Sequence, residues 1–172
     1  YKRQKKIAVI DSRSAGSELV LLVKKICELI ESGADFETVV EKAELYSRHT
    51  HVVFALSSFN NLVKNGRVSK IVGFVANKLG FWGIGIGSEQ GTIEIKQKIR
   101  GSKKALDAII EDMKERGYNC GKVVISHCRN AEFAESVKSA IQSVWDKAEV
   151  KIVHARGLCS YYAEKGGLII GF

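Results

Sequence analysis

Gly80-Phe81-Trp82-Gly83-Ile84-Gly85-Ile86-Gly87-Ser88-Glu89-Gln90-Gly91-Thr92-Ile93-Glu94-Ile95 is the stretch on which the fold turns. Gly83-x-Gly85-x-Gly87 invites a dinucleotide-binding reading. That fingerprint needs a helix directly after the glycines, so that its N-terminus can hold a pyrophosphate. Here the turn Ser88-Glu89-Gln90-Gly91 follows, and Thr92-Ile93-Glu94-Ile95 then alternates with period two. The pair reads as a β-hairpin. Its glycine-rich first strand is expected to be closely approached by another backbone or by a ligand.

Outward from the hairpin, strands and helices alternate. Ile7 to Ile10 is a short apolar run with β character, and the polar turn Asp11-Ser12-Arg13-Ser14-Ala15-Gly16 follows it. Leu19, Leu22, Val23, Ile26, Leu29 and Ile30 recur at helical spacing up to Ser32-Gly33, where glycine suits the left-handed closing position. Asp35 is placed to cap a second helix. His51 to Leu56 reads as a strand, Ser57-Ser58 leads into a short helix ending at Asn65-Gly66, and Ser69 heads another with Ile71, Val72, Phe74, Val75 and Leu79. Beyond the hairpin, Ser102 and Asn130 are expected to cap two amphipathic helices. Lys122 to His127, Val150 to Val153 and Leu168 to Phe172 read as strands. This is an α/β fold, a sheet covered by helices, with one internal hairpin. A boundary is expected near Asn65-Gly66-Arg67, between a small unit, 1–65, and a domain-sized one, 66–172.

The composition excludes several classes. The 172 residues carry 27 Lys+Arg against 19 Asp+Glu, a net charge of +8, with 45% hydrophobic residues and no proline. That balance is globular, and it excludes collagen-like, Pro-rich and disordered chains. No apolar run approaches the ~18 residues of a membrane span, so stable membrane insertion is not expected. The four cysteines, Cys27, Cys120, Cys128 and Cys159, have no CxxC spacing. They read as reduced thiols of a cytoplasmic protein.

Few residues carry candidate chemistry. Ser126-His127-Cys128 sets a histidine beside a thiol at the C-terminal end of a strand. Adjacent strand residues point to opposite faces, so the two make a poor nucleophile–base pair. His127 remains a binding candidate, because ligands of open α/β sheets sit beyond the carboxyl ends of strands. Asp11-Ser12, with Arg13 and Ser14 after it, can either hold an anionic head group or simply build a turn. Lys98, Arg100, Lys103 and Lys104 gather where a helix begins. Cations there oppose the helix dipole, which suggests that they face an anion. The Cys and His residues show no metal-ligand spacing, so no metal and no cofactor is expected.

Several segments together resemble the DegV family. Asn65-Gly66-Arg67-Val68-Ser69-Lys70 is similar to its GGRISK-type motif, and Lys98-Ile99-Arg100-Gly101-Ser102-Lys103-Lys104-Ala105 to its K-x-RG-x-KKA segment. Val124-Ile125-Ser126-His127 with Asn130-Ala131-Glu132 and Ala134-Glu135 resembles its I-x-H…N-x-E-x-AE stretch, and Val9-Ile10-Asp11-Ser12 its V-x-DS strand end. Order and spacing agree over essentially the whole chain. The resemblance implies a bacterial, non-enzymatic protein that binds a long-chain fatty acid and presents it to an ATP-dependent fatty acid kinase subunit. On this reading residues 1–65 are the remainder of an N-terminal α/β domain, and 66–172 are the C-terminal lipid-binding domain. The family carries a substantial segment before the V-x-DS strand, so part of the head-group site and one side of the N-terminal sheet are expected to be missing here.

The lipid-binding residues implied are Ser12, Arg67, Arg100, His127, Ser160, Tyr161 and Tyr162. Many members end with an H-x-GPG loop whose histidine faces the carboxylate. This chain instead has Leu158-Cys159-Ser160-Tyr161-Tyr162-Ala163-Glu164-Lys165-Gly166-Gly167. Tyr162 stands nearest the family histidine when the C-termini are aligned. Two other readings stand beside this one. The charge of +8 alone suggests a nucleic-acid-associated or regulatory protein, although no basic stripe interleaved with aromatics accompanies it. A hydrolase using Cys128 or Ser12 as nucleophile would lack a suitably oriented base.

Overall fold

A computed structural model describes residues 6–69 and 80–172. The elements run α1 (Ser17–Glu31), α2 (Phe36–Ser47), β1 (Val52–Leu56), α3 (Asn60–Lys64), β2 (Phe81–Gly87) and β3 (Ile93–Arg100). They continue with α4 (Ser102–Glu115), β4 (Lys122–His127), α5 (Ala131–Val144), β5 (Glu149–His154), α6 (Gly157–Ala163) and β6 (Leu168–Gly171). The helix expected after Ser69 lies outside the described residues.

The six strands form one mixed sheet in the order β3-β2-β1-β6-β4-β5. β4 and β5 are parallel, and every other pair is antiparallel. The glycine stretch is the hairpin that its alternation indicates: Phe81 pairs with Arg100 and Gly87 with Ile93, with an irregularity between Ile84 and Gly85. The turn is closed by Gly91, at φ 74°, whose N–H donates to the Ser88 carbonyl at 2.9 Å. The boundary expected at 65/66 does not divide the sheet. β1, which precedes it, is hydrogen-bonded to β2 and to β6, which follow it.

Period two assigns the faces of the sheet. Val53, Ala55, Ile84, Val123, Ile125, Leu168 and Ile170 point to one face and pack under α4 and α5. The helices meet them with residues three and four apart: Ala105, Ala108, Ile109 and Met113 from α4, and Phe133, Val137 and Ile141 from α5. The opposite face carries Phe54 and Leu56, which cluster with Phe59, Leu62 and Ala163 around α3 and α6. α1 lies on that face too, fixed by the fully buried Ser17. Its Oγ donates to the Ile169 carbonyl at 2.6 Å, lies 2.7 Å from Ser126 Oγ, and accepts from the Ser126 N–H at 3.2 Å.

Some local expectations change. Ile7 to Ile10 is not a strand: Ile7 and Val9 are 84% and 86% exposed. A strand needs a neighbour for its backbone groups, and among the described residues none lies beside it. Asp35 does cap α2, accepting the Thr38 N–H at 2.8 Å. Ser102 is instead the first residue inside α4, with Gly101 at the cap position. Asn130 stands at the cap of α5 but sends its amide to the Gly166 carbonyl at 2.8 Å.

Candidate functional site

The face that α4 and α5 leave free holds an apolar cavity of about 410 Å³. That lies within the roughly 300–1,000 Å³ of small-molecule pockets. Phe54 and Ile169 on the sheet, Leu62 at α3 and Tyr162 on α6 give it hydrocarbon walls. Among the described residues the lining contains two cations, Arg13 and Arg67, and no Asp or Glu. Neither arginine is in an ion pair among the described residues.

The alternating glycines of β2 shape this face. A Cβ at Gly83 would stand 2.3 Å from the Phe59 ring, and one at Gly85 would stand 2.4 Å from both the Phe54 ring and the Glu94 carbonyl oxygen. The expected close approach therefore comes mainly from two aromatic rings. They sink onto the strand instead of filling the cavity. α6, a short helix that the sequence reading missed, closes another side. Its exit is tied to α3 by Glu164, whose carboxylate accepts from the Asn61 N–H at 2.8 Å and from Ser58 Oγ at 2.6 Å.

A second, polar cavity of about 570 Å³ adjoins the first and shares Arg13, Val52, Ile86 and Gly87 with it. Ser12, Arg48, Thr50, His51 and Arg116 are among its walls. Burial, reinforced by the positive Arg116, pushes the His51 pKa down. Arg13 itself has a left-handed backbone, φ 48°. Its N–H donates to Asp11 Oδ1 at 3.0 Å, and its guanidinium donates to the Glu89 carbonyl at 3.0 Å.

The candidates read from the sequence separate accordingly. Arg67 and Tyr162 line the apolar cavity, and Ser12 lines the polar one. Tyr161 and Ser160 belong to α6 but face elsewhere: the Tyr161 hydroxyl accepts from Asn65 at 3.1 Å, and Ser160 Oγ donates to the Gly157 carbonyl at 2.8 Å. Arg100 is exposed at the far end of β3 and lies 6.0 Å from the centre of the Phe81 ring. The eight residues of β3 put it roughly 23 Å from Ile93 at the cavity.

His127 shares a face with Ile125, under α5, and so lies across the sheet from the cavity. Its Nδ1 accepts the Asn130 N–H at 3.1 Å, and its ring centre is 4.6 Å from that of His154. Burial, and then His154, push its pKa down. Among the described residues no group of three or more His, Cys, Asp or Glu is placed to hold a metal ion, and no helix is long and apolar enough to cross a membrane. Sequence reasoning missed Phe54, Leu62 and Ile169, whose apolar character marks them only as core. It reached Arg13 as part of a turn and favoured Ser12 beside it.

A family model described as "Uncharacterised protein, DegV family" matches residues 1–172. The chain belongs to the DegV family. A DegV domain-containing protein of Streptococcus pneumoniae (strain ATCC BAA-255 / R6) is 43% identical over 167 residues, which is 97% of this chain and 59% of that relative. A DegV family protein from Eubacterium eligens, solved loaded with heptadecanoic acid, superposes with a TM-score of 0.95 at 38% identity, over 98% of this chain and 61% of that one. The Streptococcus pneumoniae Fatty Acid Kinase (Fak) B3 protein, solved loaded with linoleic acid, gives a TM-score of 0.94 at 43% identity, over 97% of this chain and 59% of that one. The chain thus spans about 59% of the length of the DegV relative it matches.

Proposed function

We propose that this chain forms part of a cytoplasmic protein that binds a long-chain fatty acid and presents it to an ATP-dependent fatty acid kinase subunit, without catalysing a reaction itself. The observation that carries the reading is the apolar cavity whose described lining has two guanidinium groups and no carboxylate. An anionic amphiphile matches that combination. Its hydrocarbon gains about 0.8 kcal/mol per methylene removed from water. Ten buried methylenes supply roughly 8 kcal/mol before the costs of association. The likeness to two DegV proteins loaded with heptadecanoic and linoleic acids supports the ligand class, and the Fak B3 likeness supports the kinase partner.

On this reading Phe54, Leu62, Ile169 and Tyr162 exclude water from the acyl chain, and the arginines attract the carboxylate. The phosphoryl chemistry belongs to the kinase. Native mass spectrometry of the protein expressed from its complete reading frame in bacteria tests this. A bound mass equal to a long-chain fatty acid is expected, exchangeable for added linoleic acid. A ligand-free mass with no uptake on titration overturns the reading.

A further inference from the structure

We infer that the carboxyl ends of β4 and β5 form a binding site for a phosphate group, built from His127, His154, Arg129, Arg156 and the start of α5. It lies across the sheet from the apolar cavity and does not depend on the lipid reading. β4 and β5 are parallel, and their chains part at the carboxyl ends. β4 leads into α5 on one face of the sheet, and β5 leads into α6 on the other. Connections that leave neighbouring strands for opposite faces open a crevice, and ligands of α/β sheets bind in such crevices.

The two strand ends match. His127-Cys128-Arg129 closes β4, and His154-Ala155-Arg156 closes β5. The two histidines pair in register, and their ring centres are 4.6 Å apart. The Ala155 N–H continues the ladder to the His127 carbonyl at 2.9 Å. Arg156, at φ −132° and ψ 165°, is extended, so alternation returns it to the histidine side. Arg129, at a left-handed φ of 54°, turns the chain into α5. Both arginines are exposed, and neither is in an ion pair among the described residues.

His127 points to a ligand. It is only 4% exposed, yet half of its hydrogen-bonding capacity is unused. Nδ1 accepts the Asn130 N–H, so the neutral ring carries its proton on Nε2. That donor has no acceptor among the described residues. No fully buried side-chain nitrogen or oxygen among them lacks a partner, so Nε2 reaches the open side of the crevice. The neighbours of His127 are His154 on β5, Leu168 on β6 and Asn130 at α5, and none is an acid. α5 adds donors. Asn130 sends its side chain to the Gly166 carbonyl and not to the helix, so the first N–H groups of this fourteen-residue helix have no side-chain cap. Their positive end abuts the His127 ring.

Two guanidinium groups beside two imidazoles repel a metal ion and attract an anion. A phosphate group has the several charged oxygens needed to engage Nε2–H, the guanidinium forks and the helix N–H groups at once. Binding it favours the imidazolium form, against the burial and the His154 ring that lower the His127 pKa.

The test follows the imidazole resonances of His127 and His154 by NMR in the full protein as inorganic phosphate or adenosine monophosphate is added. Both histidines are expected to shift together and to saturate, with the His127 pKa raised at saturation. Saturation by either probe supports the site. A lower midpoint for adenosine monophosphate assigns it to phosphomonoesters, and a lower midpoint for inorganic phosphate assigns it to the free ion. Arg129→Gln and Arg156→Gln are each expected to raise the midpoint roughly tenfold to a hundredfold, the range of a hydrogen bond to a charged group. Melting temperatures of the variants confirm folding. His127→Asn, which can keep the Asn130 contact but lacks Nε2, is expected to abolish the His154 response. Lys104→Gln, an exposed cation on α4, is expected to change nothing. Shifts that are absent or stay linear with concentration overturn the site. So does an unchanged midpoint in both arginine variants, or an equal loss in Lys104→Gln, which would make the effect one of net charge. Fatty acid uptake is measured in parallel, and its failure would overturn the lipid reading while leaving this site standing.

Discussion

Gly85→Ala tests whether the glycines of β2 set the shape of the apolar cavity. The added Cβ would stand 2.4 Å from the Phe54 ring and 2.4 Å from the Glu94 carbonyl oxygen. Ordinary carbon contacts begin about 1 Å further out, so both neighbours must give. Glu94 O is backbone inside the β2–β3 ladder and cannot rotate away. The Phe54 ring is 7% exposed, and the room open to it is the cavity it lines. Overpacking of this kind costs about 1–3 kcal/mol. In a chain of this size each kcal/mol lowers Tm by roughly 2–4 °C. The melting temperature is therefore expected to fall by about 2–12 °C, with lipid capacity reduced alongside. Phe54→Leu, which shortens the offending ring, should relieve part of the strain in the double variant. The coupling measured by a double-mutant cycle should be at least ~0.5 kcal/mol, with the pair less destabilised than the sum. A Gly85→Ala protein that melts within 1 °C of wild type and takes up lipid normally would refute the argument.

Ser17→Ala removes the hydroxyl that satisfies the Ile169 carbonyl and the Ser126 N–H and faces the Ser126 hydroxyl. Leaving these buried groups without it should cost about 1–3 kcal/mol in urea unfolding, and a loss below ~0.5 kcal/mol would contradict the assigned anchorage of α1. His127 has its pKa lowered by burial, so between its folded and unfolded values the unfolded chain binds more protons. Its contribution to stability is therefore complete above the unfolded value, near 6.5, and is lost as pH falls toward the folded one. His127→Asn, whose carbonyl can accept the Asn130 N–H in place of Nδ1, should flatten part of the stability–pH slope below pH 6.5. His51, shifted the same way, keeps the rest. An unchanged slope would remove His127 from the account.

Periodicity made most of the fold legible. The hairpin, α4, α5 and the three later strands all show in the spacing of their apolar residues, because each buries one stripe or one face. What the spacing could not show was pairing. Ile7 to Ile10 has strand composition, but composition does not supply a neighbour. The sheet also crosses residue 65, because β1 needs β2 and β6 on its two sides. Among the site residues, Lys98 to Lys104 reads in the sequence as one helix-start cluster, although the strand runs to Arg100. His127 was legible in principle. Val123 and Ile125 fix its side of β4 by alternation, and the helix that follows fixes which side α5 covers. α6 carried no usable signal: it starts at a glycine, lacks a side-chain cap and has seven residues.

The cavity lies where the packing of a two-faced sheet is uneven. α4 and α5, with fourteen residues each, are about 21 Å long, enough to cover strands of six to eight residues. On the other face the fifteen-residue α1 covers the β4 and β6 side, while beside β1 the described helices are α3 and α6, with five and seven residues, about 8 and 10 Å. Phe59 and Phe54 make up part of the difference, but they do so by sinking onto Gly83 and Gly85, which keeps them close to the strand. Bulkier residues at those two positions would lift the rings into the space and close it. Among the described residues, what remains is an apolar floor bordered by two arginines with no acid among the lining residues. Purely hydrocarbon filling would leave both guanidinium groups without a counter-charge, and a small anion would leave the floor wet. A long apolar body with one negative end satisfies both requirements, which is the ligand class proposed above.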